Sequence, residues 1–159
     1  MTNLEIRTIE SIIGTMKISA IKDKDTRDAL FTTYINCFKA KKSFDDDMKV
    51  FQEKFFAGKE QKLEEYNATI AKLEDTSISA EEKESLTEKL DPKIQELVKN
   101  YNKSYAEKLT EEVDVEVKPV TLDAYVKAAG ESKINVPFAH VAILNSCGII
   151  VDQSKKSKK

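Results

Sequence analysis

The longest hydrophobic pattern in the chain lies between residues 30 and 55. Its positions follow one another at alternating spacings of four and three residues: Leu30, Tyr34, Cys37, Lys41, Phe44, Met48, Phe51 and Phe55. This spacing puts them on one face of an α-helix and is typical of a coiled coil, so we call them the heptad seam. Lys41 is its one charged position, and a single polar residue there often selects register or partner. The alternative is a lysine whose stem packs while its amine reaches water.

Apolar residues continue at helical spacing beyond the seam, on a rotated face. Gly58 lies where the phase changes, which indicates a kinked continuation or a short break. Residues 75–79 have the composition of a turn, and Ser79 opens a capping box for the next helix. Asp91–Pro92 then suits the start of a further helix. Together these signals predict a long antiparallel helical hairpin over 25–109, with its tip near Ser79.

A different periodicity follows the predicted hairpin. Val113, Val115 and Val117 alternate with charged residues, which predicts a strand with one buried face. Its partner could be Met16–Ala20, Ile149–Val151 or an edge of another chain. Pairing with Met16–Ala20 is favoured, because it would close the base of the hairpin.

The predicted fold is therefore mainly α, a coiled-coil-like hairpin with a small two- or three-stranded β element and short C-terminal helices. The chain has 159 residues, of which 40% are hydrophobic, and this is enough for one domain of ordinary size. Residues 1–153 are expected to form that domain. Within it, 1–24 and 110–153 would build the base of the hairpin, while 154–159 would form a lysine-rich tail.

The charge distribution limits the class of partner. The formal net charge is −2, so the chain as a whole has no attraction for nucleic acid. Positive charge is nevertheless concentrated at the end of the sequence, in Lys155, Lys156, Lys158 and Lys159. A solubilising tail is the simplest interpretation, and contact with an acidic partner or nucleic acid is the alternative.

The sequence favours a cytoplasmic location and predicts no membrane association. The first residues are amphipathic rather than apolar, and no apolar run approaches the roughly 18 residues of a membrane helix. Cys37 and Cys147 are expected to be reduced core cysteines, with a disulfide as the alternative.

Residues that could carry catalysis are sparse. His140 is the only histidine, so a histidine relay or a histidine-based metal cluster lacks a second member. Asp45–Asp47 splay around a helix and cannot converge on one ion. With Lys41 and Lys42 four residues earlier, they are expected to form a solvated, ion-paired face. We therefore predict no catalytic residues, no cofactor, no metal site and a non-enzymatic role.

The order of these parts is similar to that of a small, uncharacterised protein family of tailed phages. The pieces that carry the resemblance are Met16–Ser19 with Arg27, the charged hairpin, Glu111–Val117, and Asn135–Phe138 leading to Leu144. The segment 128–134 and the lysine-rich end depart from the family pattern. The resemblance implies a phage context and no enzymatic activity, and it supplies no functional residues.

Two functions are consistent with these patterns. The first is a phage structural or assembly protein, a virion component or adaptor that contacts itself or other phage proteins as an oligomer. The second is a small intracellular protein that inhibits or regulates a host or phage protein. Either would be found in the cytoplasm of the bacterial host, and a structural protein also in the virion. The candidate interaction residues are Lys41, Phe44, Val113, Val115, Val117 and the four tail lysines 155, 156, 158 and 159.

Overall fold

The computed structural model describes residues 1–151, and over these residues the protein is mainly helical with one small sheet. The helices are α1 (Asn3–Gly14), α2 (Lys24–Phe55), α3 (Glu60–Leu73), α4 (Ala80–Glu88), α5 (Pro92–Leu109), α6 (Leu122–Glu131) and α7 (Phe138–Ser146). A short 3-10 helix, Ile18–Ala20, follows α1, and the strands are β1 (Val120–Thr121) and β2 (Ile150–Val151). The predicted class, mainly α with a small β element, is confirmed.

Local side-chain chemistry explains where several helices begin. The Thr2 hydroxyl accepts a hydrogen bond from the Glu5 backbone N–H at 3.2 Å, and the Glu5 carboxylate accepts one from the Thr2 N–H at 2.7 Å. Ser79 and Glu82 form the same reciprocal capping box at the start of α4. Each box satisfies two N–H groups that a helix start otherwise leaves without partners.

The chain divides into two compact units, which are described separately. Unit 1 comprises residues 1–45 together with the chain from 109 onward, and unit 2 comprises 46–108. The predicted boundaries at 25, 109 and 153 stay predictions.

The core of unit 1 is built on the apolar face of α1. Ile6, Ile9 and Ile13 are fully buried, and their spacing of three and four residues places them on one side of that helix. Leu30 and Cys37 of the heptad seam are fully buried in the same cluster. Ile12, Met16 and Ile21 add further N-terminal residues to this core, and the C-terminal part of the chain contributes Val120, Tyr125, Ala128, Ala129, Leu144, Ile149 and Ile150.

The sheet of unit 1 is parallel. Val120 pairs with Ile150 and Thr121 with Val151, and α6 and α7 form the connection between the two strands. A parallel pair needs a crossover of this kind, because its strands run in the same direction. Ile149–Val151 therefore does contain a strand, but its partner is β1 and not the valine segment.

The predicted pairing of Val113–Val117 with Met16–Ala20 is wrong. Residues Ile18–Ala20 form a 3-10 helix, in which Ala20 N–H donates to Lys17 C=O at 2.9 Å and Ile21 N–H to Ile18 C=O at 3.1 Å. These local bonds use the N–H groups that a strand ladder would need. The short alternation of apolar residues was a weak signal, because five residues fit a tight helical turn equally well.

Unit 2 has a small aromatic cluster. Phe51 and Phe55 of α2 lie 5.7 and 5.6 Å from the ring of Tyr101 in α5, and Phe56 lies 5.2 Å from it. Ring separations of this size are typical of favourable aromatic contacts. The break between α2 and α3 follows directly, and it contains Gly58 with a φ of +74° that suits glycine.

Candidate interaction surfaces

The alternating valines form an extended segment, residues 113–118, which we call the valine ribbon. Val113, Val115 and Val117 are half-buried and pack against the core of unit 1, whereas Asp114 and Glu116 are exposed. The side-chain directions expected from the alternation are therefore confirmed. The ribbon does not, however, form a strand of the sheet.

One end of the valine ribbon is fastened to the segment before α1. Thr2 and Glu112 form an isolated antiparallel bridge. Around it, Val113 N–H donates to Met1 C=O at 2.7 Å, and Asn3 N–H donates to Glu111 C=O at 3.1 Å. The predicted strand thus has a partner within its own chain, but only over this single bridge.

The other end of the ribbon is held by side chains of α2. Lys118 N–H donates to the hydroxyl oxygen of Thr33 at 2.9 Å, and the Asn36 amide donates to Glu116 C=O at 3.0 Å. Thr33 is fully buried. Two polar side chains on one face of α2 therefore replace the neighbouring strand that the pattern predicts.

Two residues of the valine ribbon leave a short backbone edge open. No described residue forms a hydrogen bond with the backbone of Val115 or Val117. Val115 lies between the Met1 contact at Val113 and the Asn36 contact at Glu116, and Val117 lies between the Asn36 and Thr33 contacts. An edge of this kind can accept an added strand.

Lys41 and Phe44 lie at the contact between α1 and α2. The Lys41 amine is 2.9 Å from the Glu10 carboxylate, and the Arg7 guanidinium lies 5.5 Å above the ring of Phe44. Arg7 also pairs with Asp45 at 2.8 Å. The carboxylate run was expected to pair along its own helix, but Asp45 and Lys41 both pair across to α1.

These contacts show how α1 lies on α2. Arg7 meets Asp45, Glu10 meets Lys41, and a Cβ atom at Gly14 would lie 3.2 Å from Tyr34. Among these contacts, residue numbers increase along α1 while those of the contacted residues in α2 decrease, so the two helices are antiparallel. The predicted interaction residues Lys41 and Phe44 therefore both contact α1 of their own chain.

Aromatic residues are exposed on another face of α2, which sequence reasoning missed. Phe31 and Phe38 are 51% and 43% exposed, and Phe38 stacks on Tyr34 with a centroid separation of 6.2 Å. Ile35 between them is half-buried. The signal for this face was present, because positions 31, 35 and 38 follow the same helical spacing as the seam.

The two cysteine thiols and the histidine are the side chains to consider for nucleophilic or acid–base chemistry. Burial raises the pKa of the Cys37 thiol from 9.0 to about 11, and it also raises the pKa of Cys147. Both cysteines are unpaired, as expected, and both stay protonated at neutral pH. His140 is half-buried on α7, and residues 1–151 contain no group of three His, Cys, Asp or Glu side chains placed to hold a metal ion.

The remaining predicted site residues, Lys155, Lys156, Lys158 and Lys159, lie outside the described residues. The exposed acidic side chains of the valine ribbon, by contrast, lie within the described residues. There, Lys118 donates a hydrogen bond to the Glu116 carboxylate, and this lowers the pKa of that carboxyl group.

Comparison with known proteins finds no matching family model, no matching curated protein and no matching solved structure. Within residues 1–151, none of the helices combines the length and apolar character needed to cross a membrane.

Proposed function

We propose that the protein is a non-enzymatic structural or assembly protein of a tailed phage, acting through protein–protein contacts. The observation that carries this proposal is the aromatic face of α2. Phe31 and Phe38 stay exposed although the opposite face of that helix is buried in the core. Large aromatic side chains are among the residues most enriched at protein interfaces, where they contribute strongly to binding.

The proposal includes a helical hairpin that extends the contact surface. Three contacts within unit 2 support it. Lys62 of α3 pairs with Asp91 at 3.2 Å, Phe55 meets Tyr101, and the Lys108 amine lies 5.5 Å above the ring of Phe51. Residue numbers increase along the first arm of the hairpin while those of the contacted residues in the second arm decrease, as expected of antiparallel arms.

The phage context rests on the resemblance described above, in particular on Glu111–Val117 and Asn135–Phe138. An exposed aromatic face on a small helical protein fits a virion component or adaptor, because assemblies bury such faces between subunits. In this proposal the protein is made in the cytoplasm of the bacterial host and is carried into the virion.

Quantitative mass spectrometry of purified phage particles tests this role. A structural protein is expected at a fixed copy number relative to the major capsid or tail protein, and it should remain after washing in high salt. Absence from particles, or a trace amount that varies between preparations, would contradict a virion role.

A regulator that binds a host or phage protein is the second candidate, and the open backbone edge at Val115 and Val117 favours it. Val115→Pro removes a backbone N–H that donates no hydrogen bond to any described residue. Proline is tolerated in strand-like segments at the edge of a sheet. Because Val115 packs against the core, we expect a modest fall in melting temperature that Val115→Ala shares, whereas only the proline variant should lose a partner that adds a strand. Retention of the protein complexes formed in infected cells by Val115→Pro would argue against strand addition.

A further inference from the structure

One exposed face of α2 carries a pattern centred on Ile35. Reading along the helix, it consists of Asp28, Phe31, Ile35, Phe38 and Lys42, at spacings of 3, 4, 3 and 4 residues. We call these five residues the aromatic stripe. Asp28 and Lys42 each lie seven residues from Ile35, and Phe31 and Phe38 lie four residues before it and three after it. The charges at the two ends are opposite.

The aromatic stripe points away from the core of unit 1. Phe31 and Phe38 are exposed, as are Asp28 and Lys42, whereas Leu30, Thr33 and Cys37 on the other side of the helix are fully buried. Spacings of three and four residues keep all five stripe positions on one side of the helix. The stripe is therefore a continuous surface of α2 that is distinct from the heptad seam.

We propose that the aromatic stripe binds a second copy of this chain, with the two α2 helices antiparallel and a two-fold axis passing near Ile35. This inference names a partner for the protein–protein contacts of the proposed function, and it rests on that function for what those contacts do. In such a pair, each Phe31 lies near Phe38 of the second copy, and the two Ile35 side chains meet at the axis. A two-fold interface uses the same surface on both copies, so a self-complementary stripe is what it requires.

Charge complementarity is the reason for choosing a second copy over another partner. Antiparallel pairing about residue 35 places Asp28 opposite Lys42 of the second copy, and the symmetry axis repeats that pair at the other end. Lys42 forms no ion pair with any residue in the described range 1–151. Asp28 has only its neighbour Arg27, at 3.6 Å. Parallel pairing would instead set like charges against each other at both ends.

The length of the stripe determines the expected affinity. From residue 28 to 42 an α-helix rises about 21 Å, which is a small interface. We therefore expect a dimer that dissociates in the micromolar range and is populated at about 100 µM, rather than a permanent one.

The first experiment is sedimentation equilibrium of the full chain and its variants over a concentration series. Phe31→Ala and Phe38→Ala combined are expected to weaken dimerisation about 100-fold, because each substitution occurs twice in the interface. Phe138→Ala is the matched control. Phe138 is 85% exposed and lies on α7, outside the stripe, so the control should dimerise as the unaltered chain does.

The second experiment tests the orientation by exchanging charges. Asp28→Lys alone and Lys42→Asp alone should each weaken self-association about tenfold, since each sets like charges opposite one another at both ends. A mixture of the two variants should form a heterodimer of near-original affinity, because the opposite charges then meet again. Recovery in the mixture is not expected from a variant that has merely misfolded.

The outcomes separate this inference from the proposed function. A chain that stays monomeric at about 100 µM overturns the dimer, as does a dimer that is indifferent to the Phe31 and Phe38 substitutions. Charge variants that do not recover when mixed overturn the antiparallel arrangement. None of these results bears on the copy number of the protein in purified particles, which tests the phage role independently.

Discussion

The hydrogen bond from Lys118 to Thr33 gives the sharpest test of how the valine ribbon is held. Thr33→Val keeps the shape of the side chain but removes the oxygen that accepts the Lys118 N–H at 2.9 Å. Leaving a buried donor without a partner costs about 1–3 kcal/mol. Because this bond is only partly buried, the lower half of that range applies, and we expect a loss of about 1–2 kcal/mol in the free energy of unfolding.

Thr32→Val is the matched control, one residue earlier on the same helix. The Thr32 hydroxyl bonds to Asp28 C=O within α2, at 2.8 Å and in an exposed position, so no buried group loses a partner. The free energy of unfolding of Thr32→Val should differ from that of the unaltered protein by no more than about 0.5 kcal/mol. Urea unfolding followed by circular dichroism measures both variants. Amide hydrogen exchange adds a local readout, in which Thr33→Val should abolish the protection of the Lys118 N–H.

The reasoning would be refuted by one of two results. Equal stability of the two valine variants would mean that the Thr33 hydroxyl contributes nothing specific. An unchanged exchange rate at Lys118 in Thr33→Val would mean that another group, or water, already satisfies that N–H.

Three further predictions concern buried or paired side chains. The Tyr125 hydroxyl is buried, and no described residue hydrogen-bonds it, so Tyr125→Phe should raise the free energy of unfolding by about 1 kcal/mol, whereas a clear loss in a denaturant titration would reveal a partner. A double-mutant cycle with Glu10→Gln and Lys41→Met should give a coupling energy of about 0.5–1 kcal/mol that falls in 1 M salt, and no coupling would show that the pair does not orient α1. Because burial raises the pKa of Cys37 from 9.0 to about 11, the folded state favours the neutral thiol, and stability should decline as pH rises from about 9 to about 11. Cys37→Ala should show a shallower decline over that range, and an identical pH profile for the two proteins would contradict this.

Local features of the fold could be predicted from the sequence. The capping box at Ser79 and the helix start at Pro92 both appear in the structure. Each depends on groups within four residues of one another, so no knowledge of the rest of the chain is needed.

Pairing across the chain could not be predicted in the same way. The alternation at Val113–Val117 determines which side chains face the core, but it carries no information about what lies beside the backbone. That place is taken by Thr2 and by the side chains of Thr33 and Asn36, which come from helical parts of the sequence. Side-chain groups acting in place of a strand leave no periodic signal.

The candidate interaction residues illustrate the same limit. Lys41 and Phe44 are part of the heptad seam, yet their partners Glu10 and Arg7 lie in another helix more than 30 residues away. The exposure of Phe31 and Phe38 does not follow from the sequence, because apolar residues at helical spacing usually face a core. Only the burial of the other side of α2 shows that they face outward.

The division of the chain has a consequence for its synthesis on the ribosome. Unit 2 is continuous in sequence, whereas unit 1 is assembled from residues 1–45 and the chain after 109. The N-terminal segment, with the isoleucine face of α1, is therefore synthesised before residues 46–108, whose translation takes roughly 3–13 s at about 5–20 residues per second. During this delay Ile6, Ile9 and Ile13 have neither the valine ribbon nor α6 and α7 to cover them. We therefore expect that slower translation of residues 46–108 lengthens the time for which these isoleucines are exposed.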